Sequence, residues 1–188
     1  MRIESICLGP LATNCYLIES AGRTILVDPA EDSPALRAFV GERKIDWIVN
    51  THGHIDHIAG DWAYPGVPVR IHVADVPFLD AAHPSHPPLG PPLEEGDEIL
   101  EGLTILHTPG HSHGSIVLKG DGVLIVGDLL FAGSIGRTDL PGGSMAQMVE
   151  SLERIVRLPG DYTVYPGHGE ATTLERERAR NPFLVGMV

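Results

Sequence analysis

Apolar residues in this chain come in short runs broken by glycine and proline, the rhythm of strands separated by tight turns. Ile3 to Leu8, Cys15 to Ile18 and Thr24 to Val27 read as three strands, with turns at Gly9-Pro10 and Ala21-Gly22. Ile45 to Val49 reads as a buried strand and Val69 to Val73 as another. Farther on, Glu98 to Leu100 and Leu103 to His107 flank Gly102, and Ile116 to Leu118 and Val123 to Val126 flank Gly120-Asp121-Gly122, a hairpin signal. Residues 162–165 form one more run. Between the strands the period lengthens to that of helices. Ser33 caps a helix that begins at Pro34 and runs to about Glu42, with Leu36, Phe39 and Val40 inward. A short helix runs from Asp56 through Ile58 and Trp62, and another from Asp75 to Ala81. Ser144 caps a third, to about Arg157, with Met148, Leu152, Ile155 and Val156 on its buried side. Thr172 or Thr173 caps the last, Leu174 to Arg180, whose Glu and Arg run reads as a solvated face.

The proline-rich stretch His83 to Pro92 holds neither a helix nor a central strand and is expected to be a covering loop, with His83 and His86 exposed on it. His72 reads as a strand or core histidine, His107 as structural, and His113 as a rim residue. Strands followed by helix occur twice, which implies two strand-rich halves within a single domain, 1–188.

The 188 residues suffice for a substantial core, and the formal net charge of −12 argues against a phosphate-backbone partner. Cys7 and Cys15 have neither metal nor redox spacing and read as small buried thiols. Met1-Arg2-Ile3-Glu4 leads directly into strands, without a leader or a membrane span, so a cytoplasmic location is expected.

Chemistry concentrates after the strand at 45–49. His52, His54, Asp56 and His57 fall within six positions as H-x-H-x-D-H. Imidazole and carboxylate are ligands for zinc, iron and manganese. In extended chain His52 and His54 point the same way and suit one ion; Asp56 and His57, being adjacent, suit a second. Three further candidates follow strand runs in the same manner: His111 after Pro109-Gly110, Asp128 after Gly127, and His168 after Pro166-Gly167. Strand ends on one rim of a sheet are common places for a site.

Taken in order, H-x-H-x-D-H, T-P-G-H-S, G-D-L-L-F and Y-P-G-H-G resemble the metallo-β-lactamase superfamily, and within it the short glyoxalase II-like (hydroxyacylglutathione hydrolase) enzymes. The resemblance covers nearly the whole chain. It implies an α/β fold, a four-layer αβ/βα sandwich of two mixed β-sheets with outer helices and metals at one edge. It also implies two divalent ions, zinc with iron or manganese as alternatives. His52, His54 and His111 would hold one ion, Asp56, His57 and His168 the other, and Asp128 would bridge them. Asp28 would be a partner behind the metal loop; by its residues alone it reads equally as a turn aspartate. Asp128 disfavours the β-lactamase branch with a cysteine there, and His54 disfavours the flavodiiron branch with an acid there.

The implied reaction is hydrolysis of a thioester such as an S-(2-hydroxyacyl)glutathione by a hydroxide shared between the ions, with Asp128 holding the ions and Asp56 accepting a proton. The chain is expected to depart from the long glyoxalase II enzymes in having no counterpart of their C-terminal helical domain. It also reads Gly136-Arg137-Thr138-Asp139 where they carry a lysine and a tyrosine. Arg137 then either binds a substrate carboxylate or pairs with Asp139. The same stretch resembles the persulfide dioxygenases, which would place a single iron on His52, His111 and Asp128. The expected partner is a small-molecule thioester, with no nucleic acid or membrane, and the expected assembly a monomer or small homo-oligomer.

Overall fold

In a computed structural model, which describes residues 1–82 and 85–187, the chain divides into two units, Met1–Leu93 and Glu94–Val188. His83 and Pro84 of the expected loop lie outside the described residues, as does Val188.

The turns predicted in the first unit fold their neighbours into a meander. Strands β1 (Arg2–Leu8), β2 (Thr13–Ser20) and β3 (Arg23–Val27) pair antiparallel. After helix α1 (Pro34–Val40) the chain returns as β4 (Trp47–Val49), parallel to β3, and then as β5 (Val69–Arg70), parallel to β4. The result is one mixed sheet of five strands in sequence order. Ser33 accepts from the Leu36 N–H at 3.2 Å and Pro34 opens the helix, as expected of a cap followed by proline. Leu36 and Val40 of α1, Ile58 of α2 (Ile55–Ile58) and Leu79 of α3 (Val76–Ala82) pack with Leu17, Leu26 and Ile48 in the core of this unit.

Two expectations for the strands of this unit need correction. The strand over Val69 to Val73 ends at Arg70, because the chain turns into a 3₁₀ segment at Val73–Asp75. His72 starts that segment: its Nδ1 accepts from the Ala74 N–H at 3.2 Å, a local bond that competes with strand pairing. Cys7 is exposed, not buried, because β1 is the edge of the sheet; Cys15 is buried as expected.

The second unit is a mixed sheet of six strands, ordered β13-β12-β9-β8-β7-β6. Its strands are β6 (Glu98–Leu100), β7 (Leu103–His107), β8 (Ile116–Gly120), β9 (Val123–Gly127), β12 (Thr163–Pro166) and β13 (Thr172–Thr173). A separate two-stranded ribbon pairs β10 (Leu130–Phe131) with β11 (Ser134–Ile135). From β6 to β9 neighbours are antiparallel, whereas β12 runs parallel to β9. Strands β7, β9 and β12 therefore point the same way and end on one edge. Helix α4 (Met145–Val156) buries the stripe read from its period, Met148, Leu152, Ile155 and Val156, against Leu124, Val126 and Val164. Ser144 caps it, and Thr173, rather than Thr172, caps α5 (Leu174–Arg180).

The solvated face expected of α5 also needs correction. Glu177 is buried there and accepts from the Thr172 hydroxyl at 2.6 Å, the Gly133 N–H at 2.8 Å and the Asn181 amide at 2.9 Å. Three donors converging on one carboxylate offset the cost of burying it.

Leu152 is fully buried at the centre of the second core. Leu152→Ala leaves a cavity there and is expected to lower unfolding free energy by about 2–5 kcal/mol, measured by urea denaturation.

Candidate metal centre

Strand direction explains where the candidate ligands emerge. In the first unit β3 and β4 are parallel, and the Asp28 N–H donates to the Val49 carbonyl at 3.1 Å, so Asp28 and the loop after β4 leave the sheet together. Asp28 adopts a left-handed backbone (φ 50°) that turns its carboxylate back onto that loop. It is buried and accepts from the Thr51 N–H at 2.8 Å, the Thr51 hydroxyl at 2.7 Å and His57 Nδ1 at 2.9 Å. Since the Thr51 hydroxyl donates to Asp28, its oxygen is left to accept from His52 Nδ1, 3.2 Å away. One carboxylate thus sets two tautomers: His52 and His57 carry their protons on Nδ1 and turn Nε2 outward.

Within the loop, ligand atoms of His52 and His54, of His52 and His57, and of Asp56 and His57 lie within 4.8 Å of each other. His54 stacks edge-on to Phe78, ring centroids 5.2 Å apart. The loop is pinned from α3's side by Asp75, buried, which accepts from the Gly53 N–H at 2.8 Å.

In the second unit, β9 ends directly into Asp128, and the neighbouring parallel β12 leads through Gly167 to His168. Strand β7 leads through Pro109-Gly110 to His111. Helix α4 presses on that turn: a Cβ on Gly110 would meet Met148 Cα at 2.4 Å, and the Ser151 hydroxyl donates to the Pro109 carbonyl at 2.7 Å. His111 Nδ1 donates to the backbone carbonyl of Arg137 at 2.8 Å, so its Nε2 is also the outward nitrogen. The backbone between comes close enough that a Cβ on Gly136 would stand 1.7 Å from the Asp128 carbonyl oxygen. His111 Nε2 and His168 Nε2 are each 3.5 Å from the same oxygen, Asp128 Oδ2. His57 Nε2 stands 3.5 Å from Asp56 Oδ2 in the first unit.

These separations test whether the donors suit a divalent ion. With Nδ1 committed as donor, the Nε2 of His57 and of His111 each turn a lone pair toward a carboxylate oxygen. Two acceptors then face each other at 3.5 Å. A charge-assisted hydrogen bond would be shorter, about 2.7–2.9 Å. Two ligands sharing one tetrahedral ion, with bonds of about 2.1 Å, would lie about 3.4 Å apart. The donor set fits a cation.

Arg137 points its guanidinium elsewhere. It grips Asp139 through Nε and Nη2 at 2.7 and 2.8 Å, and this bidentate pair is exposed. The guanidinium's hydrogen bonds hold the Asp139 carboxyl at about 2, below the usual carboxylate range, and raise the Arg137 pKa in return. The ion pair anticipated for Arg137 is therefore present. His107 Nε2 donates to the His113 carbonyl at 2.9 Å, a structural role, and His113 is exposed. His86 is partly buried, not exposed: its Nδ1 donates to the Pro87 carbonyl at 2.6 Å.

A family model described as the metallo-beta-lactamase superfamily matches residues 8–168. The chain belongs to that superfamily. Its mixed sheets and helices are the superfamily's α/β fold. The chain is similar to an uncharacterized protein of Aquifex aeolicus, 38% identical over 97% of both chains. It is 36% identical to the hydroxyacylglutathione hydrolase of Aeromonas salmonicida over 81% of this chain and 59% of that one. A solved structure, TTHA1623 in a di-iron-bound form, superposes with a TM-score of 0.88 at 36% identity, covering 96% of this chain and all of the other. None of the helices among the described residues is long and apolar enough to cross a membrane.

Asp28→Asn keeps the size of the side chain but turns an amide N–H₂ toward one of its three donors. The variant is expected to stay folded by circular dichroism and to bind metal about 10–100-fold more weakly in chelator competition.

Proposed function

We propose that this metal-dependent hydrolase cleaves thioesters at a centre of two divalent ions. His52, His54 and His111 would hold one ion and Asp56, His57 and His168 the other, and Asp128 would serve both. The observation that carries the reading is Asp128 Oδ2, which stands 3.5 Å from both His111 Nε2 and His168 Nε2. A carboxylate has lone pairs enough for two ions, whereas each neutral imidazole supplies one nitrogen to one. The hydroxyacylglutathione hydrolase and the di-iron protein among its relatives support the substrate class and the ion count, and the latter makes iron a candidate beside zinc.

Two such ions, when bound, supply a water with a pKa lowered toward neutrality and polarise the scissile carbonyl. The remaining steps fall to the chain's own residues. Asp56, partly exposed and beside His57, receives the proton of the attacking water. A thiolate leaves without a general acid, which suits a site whose histidines are all committed elsewhere. Arg137 receives a carboxylate of the substrate in exchange for Asp139. Both partners of that pair are exposed, so giving it up costs little.

Release of thiol from S-D-lactoylglutathione, followed with a thiol reagent, is the direct assay. Glutathione persulfide in an oxygen electrode is its counterpart for a single-iron dioxygenase. Thioester cleavage without oxygen uptake is expected; oxygen uptake without cleavage would overturn the proposal.

Asp128→Asn removes the shared charge and puts an amide nitrogen, not a ligand, in its place. The variant is expected to fold, to retain at most one tightly bound ion by metal analysis, and to turn over about 100-fold more slowly or worse.

Arg137→Ala is expected to raise KM about three- to tenfold with a small change in kcat, the pattern of lost uniform binding. Asp139→Ala, which removes the competing carboxylate, is expected to lower KM. A lowered melting temperature with KM unchanged in both variants would leave the pair a purely structural one.

A further inference from the structure

The metal loop is bracketed by two buried polar residues that the reaction does not use. Asn50 closes the strand side, directly before Thr51, and Asp61 opens the 3₁₀ segment Asp61–Ala63 on the far side. Between them lie His52, His54, Asp56 and His57. Both bracketing side chains are fully buried. The Asn50 amide Nδ2 donates to Asp61 Oδ1 at 3.2 Å. Their other two oxygens, Asn50 Oδ1 and Asp61 Oδ2, are buried with no hydrogen-bond partner among the described residues.

A buried carboxylate in this state is costly: it has one neutral donor and no cation. The groups that bear on it from neighbouring elements add nothing to hold its charge. Asp28, on the turn after β3, has the same sign, and Cys15, on β2, is a buried thiol. One proton removes every part of the difficulty. Placed on Asp61 Oδ2, it cancels the charge and creates a donor, and the acceptor lacking a donor is Asn50 Oδ1 on the residue already joined to Asp61. A carboxylic acid and a primary amide are complementary edges, each offering one donor and one acceptor.

We propose that Asp61 carries its proton in the folded protein and forms with Asn50 a two-bond acid–amide clasp across the base of the metal loop, making both of them positioning residues for the ligands between. The clasp joins the two ends of the loop through a neutral pair. The negative charge of Asp28 is then left for the two histidines it orients. Burial, the largest influence, and the nearby Asp28 raise the Asp61 carboxyl well above the usual carboxylate range against the opposing effect of the Asn50 hydrogen bond, in keeping with the geometry.

The positioning part of this inference rests on the metal-binding reading above; the proton does not. The deciding variant is Asp61→Asn, which keeps the size of the side chain and can form the same two bonds as an amide pair. Asp61→Leu removes them. In wild-type holoprotein the infrared spectrum is expected to show the C=O stretch of a protonated, buried carboxyl, shifted in D₂O and missing from Asp61→Asn. In chelator competition Asp61→Asn is expected to hold metal within about twofold of wild type, and Asp61→Leu about tenfold more weakly.

The pH dependence follows from the raised folded pKa. The contribution of Asp61 is complete below the unfolded carboxylate value of about 3.9 and is lost as pH rises toward and through its folded value. The melting temperature of Asp61→Asn should therefore gain on that of wild type as pH is raised from about 4 to about 8.

Absence of the carboxyl band in wild type would overturn the proposal. So would loss of metal in Asp61→Asn equal to that in Asp61→Leu, since the loop would then need the charge. Normal metal binding by a folded Asp61→Leu would overturn the positioning role. If wild type itself binds no metal, the two-ion reading fails, while the infrared band and the pH trend still decide the clasp.

Discussion

The Asp28 carboxylate governs which face the metal loop shows to its ligand. An imidazole is useful to a cation only when the nitrogen aimed at it is bare, and in a neutral ring that is decided at the other nitrogen. Asp28 decides it twice, directly for His57 at 2.9 Å and through the Thr51 hydroxyl for His52. Its position depends on the parallel pairing of β3 with β4, which brings the two strand ends side by side, and on a left-handed residue at the turn. The sheet is thus the means by which one acid reaches a loop 23 residues farther along the chain.

The second unit solves the same problem with different parts. His111 is oriented by a backbone carbonyl, and the carboxylate, Asp128, faces the outward nitrogens instead. Both solutions use strands that run the same way and end on one edge. In both, the ligand-bearing loop is pressed by a helix through a residue without a Cβ or through a buried acid, Gly110 against α4 and Asp75 beneath Gly53.

The ligand candidates were legible because their chemistry is concentrated in the residue types themselves. H-x-H-x-D-H and three lone acids or imidazoles after strand runs stand out in any reading, and the caps at Ser33 and Ser144 follow from residue type and spacing, whereas the choice of Thr173 over Thr172 needed the structure. Most of the supporting groups were not legible. Asp28 was half so: the resemblance offers it as a partner behind the metal loop, its residues equally as a turn aspartate, and its bonds to Thr51 and His57 decide for the partner. Asp75 and Asp61 look like any surface acid near a helix start. Glu177 sits in a run of alternating charge that hides its burial. The Arg137 carbonyl belongs to the backbone and leaves no trace in the sequence. Val69 to Val73 misled because its alternation is that of a strand, and the side chain of His72 ends it by a bond that periodicity does not report.

The bond from His111 to position 137 separates two kinds of inheritance. Orientation of the ligand depends on the peptide carbonyl at that position, which any amino acid supplies, while the guanidinium lies in solvent on Asp139. Descendants of this sequence can therefore replace the side chain at 137, and with it the charge on the surface of the loop, without disturbing the imidazole behind it. Gly136, whose neighbour's oxygen fills the space of a side chain, has no such latitude. Adjacent positions in one loop are thus expected to drift at very different rates.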